Sequence, residues 1–397
     1  MGIVPSTLVR ALLLLTVLCG IALAQAQPDD GLHYSPQRER MAIELRTRTQ
    51  ALHFIAAGWD IAVLLLLMRW QVARKLRDRT RSTFAVAAGV LAILSIAALP
   101  IAMYRHTLVL HYGLSIQSWP SWFWDWTKEF LLSGIVSVLL VAGGYALARR
   151  TRRWWLWAWA AGMVFMFAAA YIVPWIVDPL FNRFRPLAEK HAELVPKLQQ
   201  VASRAGISIP PERMFEMEAS EKSRTVNAYL TGLGASKRIV LWDTTIQTLT
   251  PEQVQTVFAH ELGHYVFLHV PKSLVLGSLG LLIVLFALSR LLGADARDAA
   301  SLVRALLFVA IIGFLSEPVV NGYSRWQEHQ ADVFELETMR GLVTLAGRNS
   351  AEVDLIMSDI NLEHPRPNRF VTFWLYDHPP SAERIRYSLA FDNKNVR

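Results

Sequence analysis

Six blocks of apolar residues decide what this chain can fold into: Ala51–Met68, Phe84–Met103, Phe130–Ala148, Trp154–Val177, Leu274–Leu292 and Leu302–Val320. A helix needs about 20 mainly apolar residues to cross a bilayer, and a run of about 18 with few charges already qualifies. Any one block also suits a buried core helix. Six of them in 397 residues do not fit a soluble core, and they predict a polytopic, mainly α-helical membrane bundle. Asp60 falls inside the first block, where a charged group is costly unless it lines a cavity or sits near an interface; no catalytic role is assigned to it.

The first residues form a separate problem. Arg10 precedes the apolar run Ala11–Ala22, and Ala22, Ala24 and Ala26 offer an Ala-x-Ala pattern. Residues 1–26 therefore read as a cleavable secretory signal, with a retained extra span as the alternative. The single cysteine, Cys19, lies in this run, so the mature chain would have no disulfide. Bulky Leu18 before it argues against lipid attachment.

A formal charge of +8 would suit nucleic acid, but its placement argues against that partner. Arg69, Arg74, Lys75, Arg77, Arg79 and Arg81 follow the first block, and Arg149, Arg150, Arg152 and Arg153 follow the third; the connection Tyr104–Lys128 between them has only Arg105 and Lys128. Lys and Arg in short loops stay cytoplasmic, so the connections near 75, 151 and 290–304 are expected on that side. Threading the chain accordingly puts residues 178–271 and the tail after 320 together on the far side.

Between the spans lies a mixed polar segment. Leu187–Ala205 has helical periodicity and ends at Gly206. Met214–Glu218, Thr225–Gly232 and Arg238–Trp242 have strand character, the last two joined as a hairpin through Gly-Leu-Gly-Ala-Ser-Lys. Thr250-Pro251-Glu252-Gln253 is a capping box with proline at the first helical position, and the helix it starts carries His260-Glu261-Leu262-Gly263-His264.

Residues four apart share a helix face, so His260 and His264 can direct ring nitrogens at one ion, with Glu261 beside them as a general base. Neutral imidazoles suit Zn²⁺, and a catalytic site of this kind needs a third protein ligand and an open fourth position. By chance alone the five-residue pattern occurs in about one chain in a hundred of this size, so the capped helix adds weight. Glu328 and Asp332 are also four apart, just after the sixth block; one carboxylate can face the metal and the other can accept a ligating histidine's second N–H. The same pair also suits a solvated helix face. His329 competes as a ligand but lies off the face of Glu328.

These motifs, with Ser-Arg-Trp-Gln-Glu-His-Gln-Ala-Asp (324–332), the strand at 226–232, Arg238–Thr244, the terminal Trp-Leu-Tyr-Asp-His-Pro-Pro run (374–380), Leu99–Ser115 and Val173–Leu187, resemble the type I CAAX prenyl protease family of integral-membrane zinc metalloendopeptidases. The resemblance covers most of the chain from about residue 51. It implies a gluzincin-like zinc protease domain containing a small β-hairpin or sheet, one Zn²⁺ per chain on His260, His264 and Glu328, Glu261 as base, and Asp332 orienting a ligand. It further implies that Asn227 holds the substrate backbone at a strand edge, that His378 binds substrate or steadies the oxyanion, and that Arg384 lies nearby as an anchoring residue. Lys222-Ser223-Arg224-Thr225-Val226 departs from the family's serine- and histidine-containing run, which bears on substrate preference.

The expected division is a four-helix membrane region over 51–177, a first protease half over 178–271, a membrane hairpin over 272–320 and a second half over 321–397. The expected activity is cleavage of membrane-associated or lipid-modified polypeptides at the bilayer. Alternatives are quality control of membrane proteins and a non-catalytic scaffold or chaperone; a transporter has no need of the capped metal helix. Composition is compatible with a bacterial inner-membrane protein whose site faces the periplasm.

Overall fold

The computed structural model describes residues 32–395; the expected signal segment, residues 1–26, lies outside them. The chain opens with α1 (Pro36–Arg69), the short α2 (Val72–Thr80), α3 (Thr83–His111), α4 (Trp119–Arg150) and α5 (Trp154–Ile176). After β1 (Phe184–Pro186) come α6 (Leu187–Lys190), α7 (Leu194–Arg204), β2 (Met214–Met217), β3 (Ala228–Thr231), β4 (Arg238–Trp242), α8 (Asp243–Thr248) and α9 (Pro251–Val266). The last part comprises α10 (His269–Leu292), α11 (Leu302–Met339), α12 (Ala346–Ile360), α13 (Arg369–Leu375) and α14 (Ser381–Asn395).

Among the described residues six helices are long and apolar enough to cross a membrane, and each holds one of the six apolar blocks. They are longer than the blocks. The charged start of α1 reaches back to Pro36 because it has partners outside the apolar layer: Arg38 donates to the carbonyls of Asp359 and Ile360, and Arg46 to those of Asn361 and Leu362. These are carbonyls at the C-terminal end of α12, which have no partner within the helix. α1 thus braces the C-terminal end of α12 through its own charged first turns.

The basic connections converge. Arg77 pairs with Asp298 at 3.4 Å and Arg149 donates to Thr83 at 3.3 Å, so residues 70–82, 149–153 and 293–301 share one end of the bundle. At the other end the α3–α4 connection meets the extramembrane segment: Ile116 N–H donates to the Lys222 carbonyl, and Lys222 pairs with Asp125 at 2.7 Å.

Four strands form one sheet in the order β1-β2-β4-β3, with β2 and β4 parallel and both outer pairs antiparallel. The expected hairpin is β3–β4, registered Ala228 to Leu241 and Thr231 to Arg238. Its turn requires glycine at 232: φ is +85° and a Cβ there would lie 2.2 Å from the Ser236 carbonyl oxygen. β1 was not anticipated. The expected helix over Leu187–Ala205 is instead two, broken at residues 191–193. Pro196 has no N–H to give to Ala192, so the helix restarts at Leu194 and keeps the proline in its first turn, where that donor is not needed.

Phe258 and Leu262 of α9 pack fully buried with Leu198 of α7 and with Ile239 and Leu241 of β4. α9 is therefore fixed on its sheet side before the membrane hairpin α10–α11 begins.

Candidate metal centre and substrate cleft

α9 begins as its sequence dictates: the Thr250 hydroxyl accepts from Gln253 N–H at 3.3 Å, and the Gln253 side chain accepts from Thr250 N–H at 3.0 Å. Two turns on, His260 and His264 face α11. Gly263 between them lets the helices touch, since a Cβ there would sit 3.0 Å from the Ala331 Cα.

His260 Nε2 lies 3.2 Å from His264 Nε2 and 3.1 Å from Glu328 Oε2, and His264 Nε2 lies 3.5 Å from Glu328 Oε1. Zinc bonds of about 2.0–2.2 Å in a tetrahedron separate neighbouring donors by about 3.3–3.6 Å. The three side chains thus already bring donor atoms to about that separation, Glu328 turning one oxygen to each histidine. Burial opposes a charge on His260, yet Asp332 and Glu328 outweigh it and hold its pKa well above the usual histidine value. The pocket attracts positive charge, which a divalent cation would supply. This donor set fits a metal ion.

His329, the competing ligand, packs edge-on against the Tyr387 ring and takes no part in the cluster.

Behind the donors stand carboxylates. Asp332 Oδ1 is 3.1 Å from His260 Nδ1, off the axis of the ring N–H, and Glu335 is 3.7 Å away. Arg384 turns both Nε and Nη2 onto Asp332, at 3.2 and 2.6 Å, and its Nη1 onto Asp354 at 2.9 Å. Its guanidinium thereby braces the carboxylate beneath the ligand. On His264 the corresponding partner is His269: the two Nδ1 atoms lie 2.9 Å apart, and His269 Nε2 lies 3.2 Å from Gln330 Oε1. Sequence reasoning missed His269, Gln330 and Glu335. His269, which follows His264 by five residues, was the available signal.

Glu261 adjoins the donors. Burial pushes its carboxyl upward, while His260 and His264 pull it down; a raised carboxyl is better matched to proton transfer near neutrality. His378 reaches in from the loop before α14, with Nε2 3.3 Å from Glu328 Oε2 and Nδ1 3.0 Å from Asp377. Asn227, just before β3, is exposed on a cavity of about 940 Å³ that also meets His378, Trp242, Arg105 and Glu317. The cavity runs from His378 and Arg384 to Gln50 of α1, Arg105 of α3 and Glu317 of α11, and Asp60 on α1 lies within electrostatic reach of Arg105.

Residues 188–389 match the family model of peptidase family M48, and residues 33–183 match that of the CAAX prenyl protease N-terminal region, described as five membrane helices. In this chain the latter stretch carries four helices of membrane length and the short α2. An uncharacterized metalloprotease of Bacillus subtilis (strain 168), YhfN, is 30% identical over 94% of this chain and 90% of its own length. CAAX prenyl protease 1 of Saccharomyces cerevisiae is 26% identical over 82% of this chain and 76% of its own length. The fold is that of the crystal structure of S. mikatae Ste24p, with a TM-score of 0.79 at 18% identity, covering 98% of this chain and 100% of the other.

Proposed function

The chain belongs to peptidase family M48 and is a membrane-embedded metalloprotease, and from that premise we propose that its metal is zinc, one ion per chain, held by His260, His264 and Glu328. The observation that carries this is the convergence of these three side chains, with both histidine Nε2 atoms and the two Glu328 oxygens at contacts of 3.1 to 3.5 Å. Bound there, zinc would supply a Lewis acid that lowers the pKa of a water and polarises a scissile carbonyl. Glu261 takes the proton of the attacking water and returns it to the leaving amine. His378, steered by Asp377, donates from Nε2 to the oxyanion that develops. Asn227 and the edge of β3 hold the substrate backbone extended across the cluster. Asp332, braced by Arg384, keeps the His260 ring in place. A complete set of such residues argues against a silent scaffold.

The substrates in this reading are membrane-associated or lipid-modified polypeptides, which the named relatives and the cavity's position between spans support. A second reading, removal of damaged membrane or envelope proteins, draws on the polar wall of that cavity, where Arg46, His53, Arg105 and Glu317 suit a peptide better than a long lipid chain. The proposed setting is a bacterial inner membrane with the basic end cytoplasmic and the metal periplasmic. The chain then divides as a membrane region over 51–177, protease halves over 178–271 and 321–397, and a membrane hairpin between them.

The test is purification of Glu261→Gln and Glu328→Ala beside the wild type. Glu261→Gln is expected to keep zinc and lose cleavage, and Glu328→Ala to lose zinc; normal peptidase activity in Glu261→Gln would overturn the assignment. Proteins trapped by Glu261→Gln in membranes identify the substrates. A single cysteine placed near Arg397 reports the side, and protection from a periplasmic thiol reagent would overturn the orientation.

A further inference from the structure

The backbone leading into β3 has two edges, and both are filled until the chain reaches the metal cluster. On one side, the carbonyl of Thr225 accepts from Thr244, the N–H of Asn227 donates to Thr245, and its carbonyl accepts from Trp242 N–H. Extended chain alternates with a period of two, so the even residues face the opposite way. There the Lys222 carbonyl accepts from Ile116 N–H, and Arg224 N–H donates to the Leu114 carbonyl. Val226 comes next. Its N–H donates to Asn361 Oδ1 at 3.0 Å, and its carbonyl accepts from Asn361 Nδ2 at 3.0 Å. Beyond it, Ala228 N–H is held by the side chain of Asn227 on its own strand, and Leu230 N–H faces Glu261.

One carboxamide therefore does at Val226 what the backbone of a paired strand would do. Only one orientation of the amide satisfies both contacts, which fixes the assignment of its oxygen and nitrogen. The side chain is not free to leave, because Arg46 of α1 grips the Asn361 and Leu362 carbonyls at 2.9 Å each. Leu362 itself is fully buried and held at φ +48°.

We propose that Asn361 is a register stop for the substrate: by occupying the backbone of Val226 it makes peptide pairing begin at the Ala228 carbonyl, and so limits how many residues on one side of the scissile bond the cleft can hold. This rests on the zinc-peptidase reading of the site. Asn361 acts here as a positioning residue for the substrate and touches no reacting atom. Without it the open edge lengthens by one pairing unit, about two residues, before the Leu114–Ile116 segment closes it.

The experiment uses the full zinc-loaded chain in detergent. A random peptide mixture supplies a core sequence that the wild type cleaves, and synthetic peptides then extend that core one residue at a time at either end. For wild type, kcat/KM should rise with length at one end and reach a plateau. For Asn361→Ala the plateau at that end should move outward by about two residues, with zinc content unchanged and the plateau at the other end fixed. If Asn361→Ala does not fold, Asn361→Ser, which likewise cannot span both Val226 groups, must give the same outward shift. A uniform loss of kcat/KM with both plateaus in place overturns the register stop alone. Absence of any cleavage by wild type overturns the zinc-peptidase reading and this inference with it.

Discussion

The Nδ1 of His264 lies 2.9 Å from the Nδ1 of His269, so two nitrogens of the same type share one proton. The rest of the chain decides which ring owns it. If His264 gives its Nε2 lone pair to the metal, its Nδ1 carries the hydrogen and donates to His269, whose Nε2–H then points at Gln330 Oε1. Only neutral rings in this order satisfy every contact.

His269→Ala removes the acceptor that orients His264, and loss of such a partner weakens metal binding by about 10–100-fold. Competition with a chelator of known zinc affinity measures it. Gln330→Ala should give a smaller loss in the same direction, and unaltered zinc affinity in both variants contradicts the relay.

Arg384 joins two buried carboxylates, pairing with Asp332 at 2.6 Å and with Asp354 at 2.9 Å. Arg384→Met leaves both carboxylates buried without it, and removing one partner of a buried pair costs about 3–5 kcal/mol. Thermal unfolding in detergent should show a large drop. Arg384→Lys keeps the charge but cannot span both acids, so it should fall between.

Burial disfavours a charge on His378, but Asp377 and the negative charge of Glu328 prevail and raise its pKa above the usual value. A raised pKa keeps the donating, charged ring populated to higher pH and loses it as pH climbs through that pKa. Asp377→Asn removes one source of the elevation. The alkaline limb of kcat/KM against pH should therefore move to lower pH, with zinc content unchanged; an unmoved limb contradicts the role given to His378.

Gly263→Ala forces a methyl group to within 3.0 Å of the Ala331 Cα and 3.3 Å of its Cβ, both on the helix that carries Glu328. Overpacking of this kind costs about 1–3 kcal/mol. Here the strain separates the histidines from the third donor, so zinc affinity should fall more than thermal stability does. Equilibrium dialysis and melting curves on one preparation distinguish the two.

Much of this was legible in the sequence because the signals were local. Thr250 to Gln253 announce the helix, the spacing of His260 and His264 announces the metal, and the apolar blocks announce the spans. The features that escaped depend on partners distant in the chain. The charged residues before Ala51 carry no apolar signal of their own, and they are held in α1 by carbonyls of Asp359 to Leu362. Asn361 looks like an ordinary polar residue at a helix end, and its pairing with Val226 spans 135 positions. The break before Leu194 was visible in Pro196 but was overridden by the longer apolar periodicity.

α11 runs unbroken from Leu302 to Met339, 38 residues that cover the apolar span and the position of Glu328 alike. At about 1.5 Å per residue it is a rod of about 57 Å, with Pro318 removing one hydrogen bond near the end of the span. A bilayer thinner or thicker than the span tilts or bends such a helix. Such a tilt would act on Glu328 directly, whereas His260 and His264 sit on a helix also packed against the sheet. The span and the third donor thus belong to one helix, and acyl-chain length in the surrounding membrane is expected to bear on how Glu328 meets His260 and His264.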